Sequence, residues 1–259
     1  MELTEANRIK KGRDMLKLIY RICDHRNGGT KIPQINKRQC FLNFVEVFGC
    51  DNLIVVADNT RQETIDFLSR FTRHIERTSL GNAPSFVHAL NIAVGFDDDQ
   101  SVYLVEDDYL HQPKGPQYIA EGLERADYVS LYDHADKYMQ KSPNPLVSGG
   151  GENTKVILTH STHWKHTNST TMTFAAKVKT LKADQEIFRH FCTGKIPLDY
   201  FIFRKIAEAG RTLITPIPGR STHCDEYPSP FIFGAPLPFK QVEMQGENDS
   251  RTALRHQRA

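Results

Sequence analysis

The run Val102-Tyr103-Leu104-Val105-Glu106-Asp107-Asp108 is an apolar stretch that ends in three consecutive carboxylates. Hard divalent ions such as Mn²⁺ and Mg²⁺ prefer carboxylate oxygens and are commonly bound through one or two side chains plus the phosphates of a substrate. The triplet therefore predicts a cation held over a phosphate, although an acidic turn after a strand is also an ordinary solvated feature. Other residues suited to the same chemistry are spread along the chain. Asp24 and Asp58 each follow a short apolar run, Gly81-Asn82 precedes a helical pattern, Asp199 opens another, and His223 lies in Ser221-Thr222-His223-Cys224-Asp225. Imidazole beside carboxylate suits Mn²⁺, with Asp225 as a reserve ligand. Each has a structural alternative: Asp199 favours a helix N-terminus as a charge, and a lone histidine is often simply packed.

The elements that must position these residues are read from periodicity. Strand-like runs at Leu16–Cys23, Leu53–Ala57, His74–Thr78 and Val102–Val105 alternate with helical patterns, as in a mostly parallel sheet with crossover helices. The first helix fits Lys37–Phe48, with Phe41, Phe44, Val45 and Phe48 on one stripe. Thr60-Arg61-Gln62-Glu63 has capping-box spacing for the second, and Gly81 and Pro84 suit the turn into the third, whose apolar face is Phe86, Leu90, Ala93 and Val94. Ligands of open α/β sheets bind outside the carboxyl ends of strands, so Asp24, Asp58, Gly81-Asn82 and the acidic triplet are expected along one edge.

The second half continues with a helix at Pro116–Arg125, a strand at Tyr128–Leu131 and a long loop at Ser142–Thr154, which by its length is functional or mobile. Strands fit Val156–Thr159, Thr170–Ala175 and Thr212–Pro216, and helices fit Lys182–Phe191 and Leu198–Ala209, the last stopped by Gly210. One α/β domain is expected over 1–235, with a nucleotide-binding half at 14–110 and an acceptor-binding half at 111–235, followed by an arm and tail at 236–259. His160, His163 and His166 recur every third residue, but catalytic zinc pairs usually lie four apart on a helix, so no zinc site is expected there.

The 259 residues are 39% hydrophobic and 25% charged, ordinary for a soluble globular protein. A net charge of +2 argues against nucleic acid as the main partner. Five widely spaced cysteines without a CxxC pair suggest neither a disulfide framework nor a thiolate metal site, which fits a reducing cytoplasm. No transmembrane segment or signal-peptide pattern is seen. The oligomeric state is not legible.

The order of Asp58 after the second strand, a Gly-Asn turn, the acidic strand end Glu106-Asp107-Asp108, a later Asp199 and a late His223 resembles the GT-A fold glycosyltransferases, most closely the inverting family 2 type, over roughly residues 16–230. Where that family carries DxD, this chain has ExD. The resemblance implies a metal-dependent enzyme that moves a sugar from a nucleoside-diphosphate sugar, UDP-sugar by default, to a glycan or other hydroxyl acceptor. It implies Asp108 and His223 as metal ligands, Glu106 as a contact to the sugar or to the ligands around the metal, and Asp199 as general base. Arg21, Asp24, Asp58, Gly81, Asn82 and Asp107 would line the sugar nucleotide, with Asp24 and Asp58 toward the nucleoside and Asn82 toward the ribose or diphosphate. Trp164, stacking on a sugar face, and His163 would flank the acceptor, unless Trp164 merely anchors a hairpin. A sugar-phosphate nucleotidyltransferase, with Asp24-His25-Arg26-Asn27-Gly28-Gly29 as a faint version of its Gly-rich signature, and a non-catalytic nucleotide-sugar binding module are the rivals.

Overall fold

The computed structural model describes residues 16–24 and 35–224. Asp225, the Gly-rich segment after Asp24 and the expected arm and tail lie outside them.

Strand β1 (Leu16–Cys23) leads to helix α1 (Lys37–Phe48), then β2 (Leu53–Asp58), α2 (Gln62–Leu68), β3 (Ile75–Thr78), α3 (Asn82–Ala93) and β4 (Ser101–Val105). Helix α1 begins at a reciprocal cap: the Asn36 side chain accepts from the Gln39 N–H while the Gln39 side chain accepts from the Asn36 N–H. Its Phe41, Phe44 and Phe48 are buried together with Cys40 and Val47. The capping box expected at Thr60 does not form. Arg61 is the cap residue of α2 and makes no side-chain cap bond; the carboxylate of Asp24 instead accepts from the Arg61 N–H at 2.6 Å and from Thr64 Oγ1 at 2.8 Å. A residue from a neighbouring strand end thus replaces the local cap.

The four strands pair in parallel in the order β3-β2-β1-β4, with Cys23 beside Asp58 and Tyr20 beside Val105. That register brings Asp24, Asp58 and Glu106 out on one edge, as the strand pattern predicts.

The chain then forms β5 (Tyr109–His111), α4 (Gly115–Leu123), β6 (Tyr128–Val129), a 3₁₀ turn (Ala135–Tyr138), a small hairpin β7 (Val147–Ser148) and β8 (Gly151–Glu152), β9 (Val156–Leu158), β10 (His163–His166), β11 (Phe174–Lys177), α5 (Val178–Phe191), α6 (Asp199–Glu208), β12 (Leu213–Ile217) and β13 (Ser221–His223). Among the described residues the main sheet has nine strands, β3-β2-β1-β4-β11-β6-β12-β10-β9. The strand expected at Thr170 starts only at Phe174, because the threonine hydroxyls before it are engaged elsewhere: Thr170 Oγ1 donates to Ser130 Oγ, and Thr173 Oγ1 accepts from the Glu106 N–H. Apolar side chains fill both faces, one cluster built on α1 and α4 and the other on α3, α5 and α6. No helix among the described residues is long and apolar enough to cross a membrane.

The 133–152 segment, in large part the long loop of the sequence reading, is held by buried ions. Lys165 Nζ lies 2.9 Å from Asp133 and 3.0 Å from Glu152, and Lys137 lies 3.9 Å from Glu152. Lys137 also donates to Asn168 and Ser169, and the Tyr138 hydroxyl donates to Asp133. Two cations and two anions balance, and their side chains are at most 5% exposed. Breaking such a set by removing one partner leaves buried charge uncompensated and typically costs about 3–5 kcal/mol. Lys165→Met is therefore expected to lower the urea-unfolding free energy by about that amount; a loss below roughly 1 kcal/mol would mean that the network contributes little.

Candidate active site

Each carboxylate of the acidic triplet meets a basic side chain from a different element. Arg21, at 7% exposure on β1, donates through Nη2 to Glu106 at 2.8 Å. Its Nη1 reaches the Asn82 carbonyl, the Asn82 side chain and Ser85 Oγ at 2.9, 3.2 and 3.1 Å. Asp107 accepts from the Cys23 N–H at 2.8 Å and pairs with Lys37 of α1 at 2.8 Å. Asp108 meets His223 Nε2 at 2.9 Å.

Burial pushes Glu106 up to about 7, with Arg21 pulling against it and Asp108 adding to the rise. Asp107 is pushed up to about 6 by burial against the pull of Lys37.

The Asp108–His223 contact depends on two ladders. Strand β13 pairs antiparallel with β5, setting His223 opposite Tyr109, and its start lies beside Tyr132, with the Arg220 and Ser221 N–H groups both donating to the Leu131 carbonyl. The Cys224 N–H then donates to the Asp108 carbonyl at 2.8 Å. The His223 ring stacks on Tyr109 with centroids 4.8 Å apart and planes 15° apart. A strand end and a segment 115 residues later are thus locked in register. Asp108 Oδ1 is buried without a hydrogen-bond partner, and a buried carboxylate oxygen of this kind calls for a cation or a water. A carboxylate and an imidazole are suitable donors for Mn²⁺. Among the described residues no group of three or more His, Cys, Asp and Glu side chains is placed to hold one ion.

Asp199 is the first residue of α6, and the Tyr200 N–H donates to it at 2.7 Å. The sequence expectation was that the helix start keeps this carboxylate ionised; burial instead raises its pKa, with the Tyr200 N–H and the charges of His134 and His223 opposing the rise. The charge of Asp199 in turn adds to the rise at Glu106.

The structure assigns other expected residues different work. Asp58 accepts from the Leu80 N–H, the Gly81 N–H, Thr78 Oγ1 and Asn59 Nδ2 at 2.6–3.0 Å. Burial opposes its charge, but these donors outweigh it and hold the carboxyl below its ordinary value. Asp58 thereby braces the turn that presents Gly81 and Asn82. Gly81 has φ +91°, a conformation that favours glycine. Asp24 is spent partly on the start of α2 and also lines a cavity of about 230 Å³ with Ile22, Lys37, Arg38, Arg61 and Phe67.

Trp164 corrects the reading of a sugar-stacking platform. It is 0% exposed, and its Nε1 donates to Thr159 Oγ1. Gly122 of α4 lies against it so closely that a Cβ there would sit 3.0 Å from the indole. It anchors the hairpin, the alternative already open in the sequence. His163 is exposed on β10, four strands from β4 in the sheet and so roughly 19 Å away along it.

Sequence reasoning missed Lys37, Tyr109, Tyr132 and the His134–Asp136 pair. His134 Nδ1 lies 2.8 Å from Asp136, and its ring packs 5.1 Å from that of Tyr132, on the way to His223. The dense run Tyr132-Asp133-His134-Ala135-Asp136-Lys137-Tyr138 at a strand exit was the available signal.

No protein-family model matches this sequence, and no curated protein does. Among solved structures the chain is similar to GalNAc-T7 crystallised with UDP, GalNAc and Mn²⁺, at TM-score 0.54 and 9% identity over 81% of this chain and 43% of that one. It is also similar to a putative glucose-1-phosphate thymidylyltransferase from Bacillus anthracis in complex with a sucrose, at TM-score 0.49 and 11% identity over 80% and 89% of the two chains. The chain spans less than half the length of the GalNAc-T7 structure. The likeness is one of fold: a mixed α/β domain with a large, mostly parallel central sheet flanked by helices.

The assignment of Asp58 to the turn has a direct test. Asp58→Asn turns an amide NH₂ toward backbone donors that now meet oxygen, and an unsatisfied buried donor costs about 1–3 kcal/mol. Chemical denaturation is expected to show a loss in that range. Unchanged stability combined with weakened nucleotide binding would return Asp58 to the nucleoside-contact role.

Proposed function

We propose that this chain is a glycosyltransferase that uses a nucleoside-diphosphate sugar, UDP-sugar being the default, and acts by one displacement with inversion at the anomeric carbon. The observation that carries the reading is the Asp108–His223 pair with an unpartnered Asp108 oxygen, set at the carboxyl edge of the sheet together with a second, separately held carboxylate, Asp199. A ligand pair and a nearby proton acceptor are what metal-assisted transfer to a hydroxyl needs.

In this reading Asp108 and His223 hold Mn²⁺ or Mg²⁺. When bound, the ion supplies charge neutralisation for the departing nucleoside diphosphate. Arg21 keeps Glu106 and Asn82 in place at the edge where the diphosphate and sugar would lie. Asp24 and the adjoining cavity are available to the nucleoside, with Arg38 stacked over Phe67 at 4.2 Å forming one wall. Asp199 takes the proton of the acceptor hydroxyl as the new bond forms, and its raised pKa makes it a stronger base than an exposed carboxylate. With Trp164 and His163 remote or buried, the acceptor would instead approach Asp199 past His134. The GalNAc-T7 structure holds UDP and Mn²⁺ on a similar fold, which supports this choice of ligands.

Two expected outcomes test the reading. Calorimetric titration with UDP should show binding that requires a divalent ion. Asp108→Asn should remove most of it, and His223→Ala should weaken the Mn²⁺ dependence while also lowering stability through loss of the Asp108 contact and the Tyr109 stack; undiminished, metal-independent affinity in Asp108→Asn would overturn the ligand assignment.

For Asp199→Asn, donor binding should persist while turnover falls by about 10² to 10⁴, the usual range for a lost general base. Near wild-type turnover in that variant would make Asp199 a helix-start residue only, and a product that keeps the donor's anomeric configuration would exclude inversion. The leaving product separates the rivals: nucleoside diphosphate supports transfer of the sugar, and pyrophosphate would identify a nucleotidyltransferase. Tight nucleotide binding without turnover would favour the binding module.

A further inference from the structure

Cys40 and Cys224 are 184 positions apart in sequence, yet their sulfurs lie 4.0 Å from each other. Both residues are 0% exposed and sit in a small apolar cluster with Ile35 and Leu110. Cys40 is on α1, one turn from Lys37, which holds Asp107. Cys224 directly follows His223, and its N–H is bonded to the Asp108 carbonyl. The two thiols therefore face each other across the seam between the helix that neutralises one carboxylate of the triplet and the strand that neutralises the next. The spacing of the five cysteines in sequence points to no such pair.

We propose that Cys40 and Cys224 are a disulfide-forming pair, closed by thiol–disulfide exchange with a small disulfide such as glutathione disulfide, and that the bond staples β13 to α1. The thiolate of one cysteine attacks the small disulfide, breaking its S–S bond and releasing one thiol. The second cysteine then attacks the protein sulfur of the mixed disulfide, forming the Cys40–Cys224 bond and releasing the second thiol. The two protein thiols lose two electrons and two protons in total, and one small disulfide is reduced to two thiols. The sulfurs need approach by only about 2 Å, within reach of side-chain rotation and a slight backbone shift. Donation of the Cys40 S–H to Cys224 Sγ, together with burial, pushes the Cys40 thiol up, which keeps it protonated once sealed. Exchange therefore takes place as the chain folds, before the cluster closes. None of this depends on the proposed transferase activity.

The full chain is refolded in a glutathione redox buffer and, in parallel, with excess reductant, then denatured and alkylated. The oxidised sample should carry two fewer alkylated thiols than the five cysteines of the chain, and peptide mapping should recover a Cys40–Cys224 link. Amide exchange of β13 in the folded oxidised protein should be at least tenfold slower than in the reduced protein, a difference absent from both Cys40→Ala and Cys224→Ala. The wild-type mapping needs no variant to fold. Five alkylated thiols after oxidative refolding, a link between any other pair, or β13 exchange that is the same in both redox forms of the wild type would overturn the proposal.

Discussion

Three adjacent carboxylates at the end of a buried strand repel one another, and the site is organised around the answer to that repulsion. At an effective dielectric of ~20 and a separation of ~5 Å, each like-charged pair costs roughly 3 kcal/mol. The chain meets this by partnering each carboxylate from a different place: Glu106 with Arg21 of β1, Asp107 with Lys37 of α1, and Asp108 with His223 of β13. Glu106 to Asp108 thus tie the first strand, the first helix and the last described strand to one point. Each partner is itself held. Arg21 is fixed by Asn82 and Ser85, Lys37 by the Cys23 carbonyl, and His223 by its stack on Tyr109.

The three pairs are not equivalent. Glu106 and Asp107 face permanently cationic partners and lie deep enough for burial to oppose their charge. Asp108 faces an imidazole, which carries charge only when protonated, and one of its oxygens has no hydrogen-bond partner. The metal site proposed above rests on that difference in partners and on the unpartnered oxygen rather than on the number of acidic residues.

Much of the nucleotide-binding half was legible in the sequence, because its strands and helices follow simple periods. Lys37–Phe48 forms over the expected residues, and the register of four parallel strands places Asp24, Asp58 and the triplet on one edge. That Asp108 and His223 lie together was expected only through the family resemblance, and the reason for their meeting was not legible: β5 and β13 are three residues each, too short to show a period, and they pair across more than 100 positions. Asp58 and Trp164 show the converse. Both have residue types that suit ligand contact, and both are consumed by internal partners, four donors for the first and Thr159 with Gly122 for the second. Residue type states what a side chain can do, while burial and competing partners decide what remains for a ligand.

The buried ions of the 133–152 segment explain how an irregular stretch keeps a fixed path against the sheet. Such a segment has too few apolar residues to hold itself against the sheet by burial alone. Lys165, projecting from β10, gives it one cation on which two of its own carboxylates close, Asp133 at its start and Glu152 at its end. Closing both ends on one cation fixes the path of the intervening chain, including the 3₁₀ turn, and so the position of His134 and Asp136. The His134 charge is felt at Asp199. The network thereby links the far side of the sheet to the proposed base. The neutral balance of two cations and two anions lets so much charge be buried without altering the field at the triplet by a net unit. A hydrophobic replacement of the whole set, well packed, would hold the segment comparably, but it would lose the directional contacts that set where His134 stands.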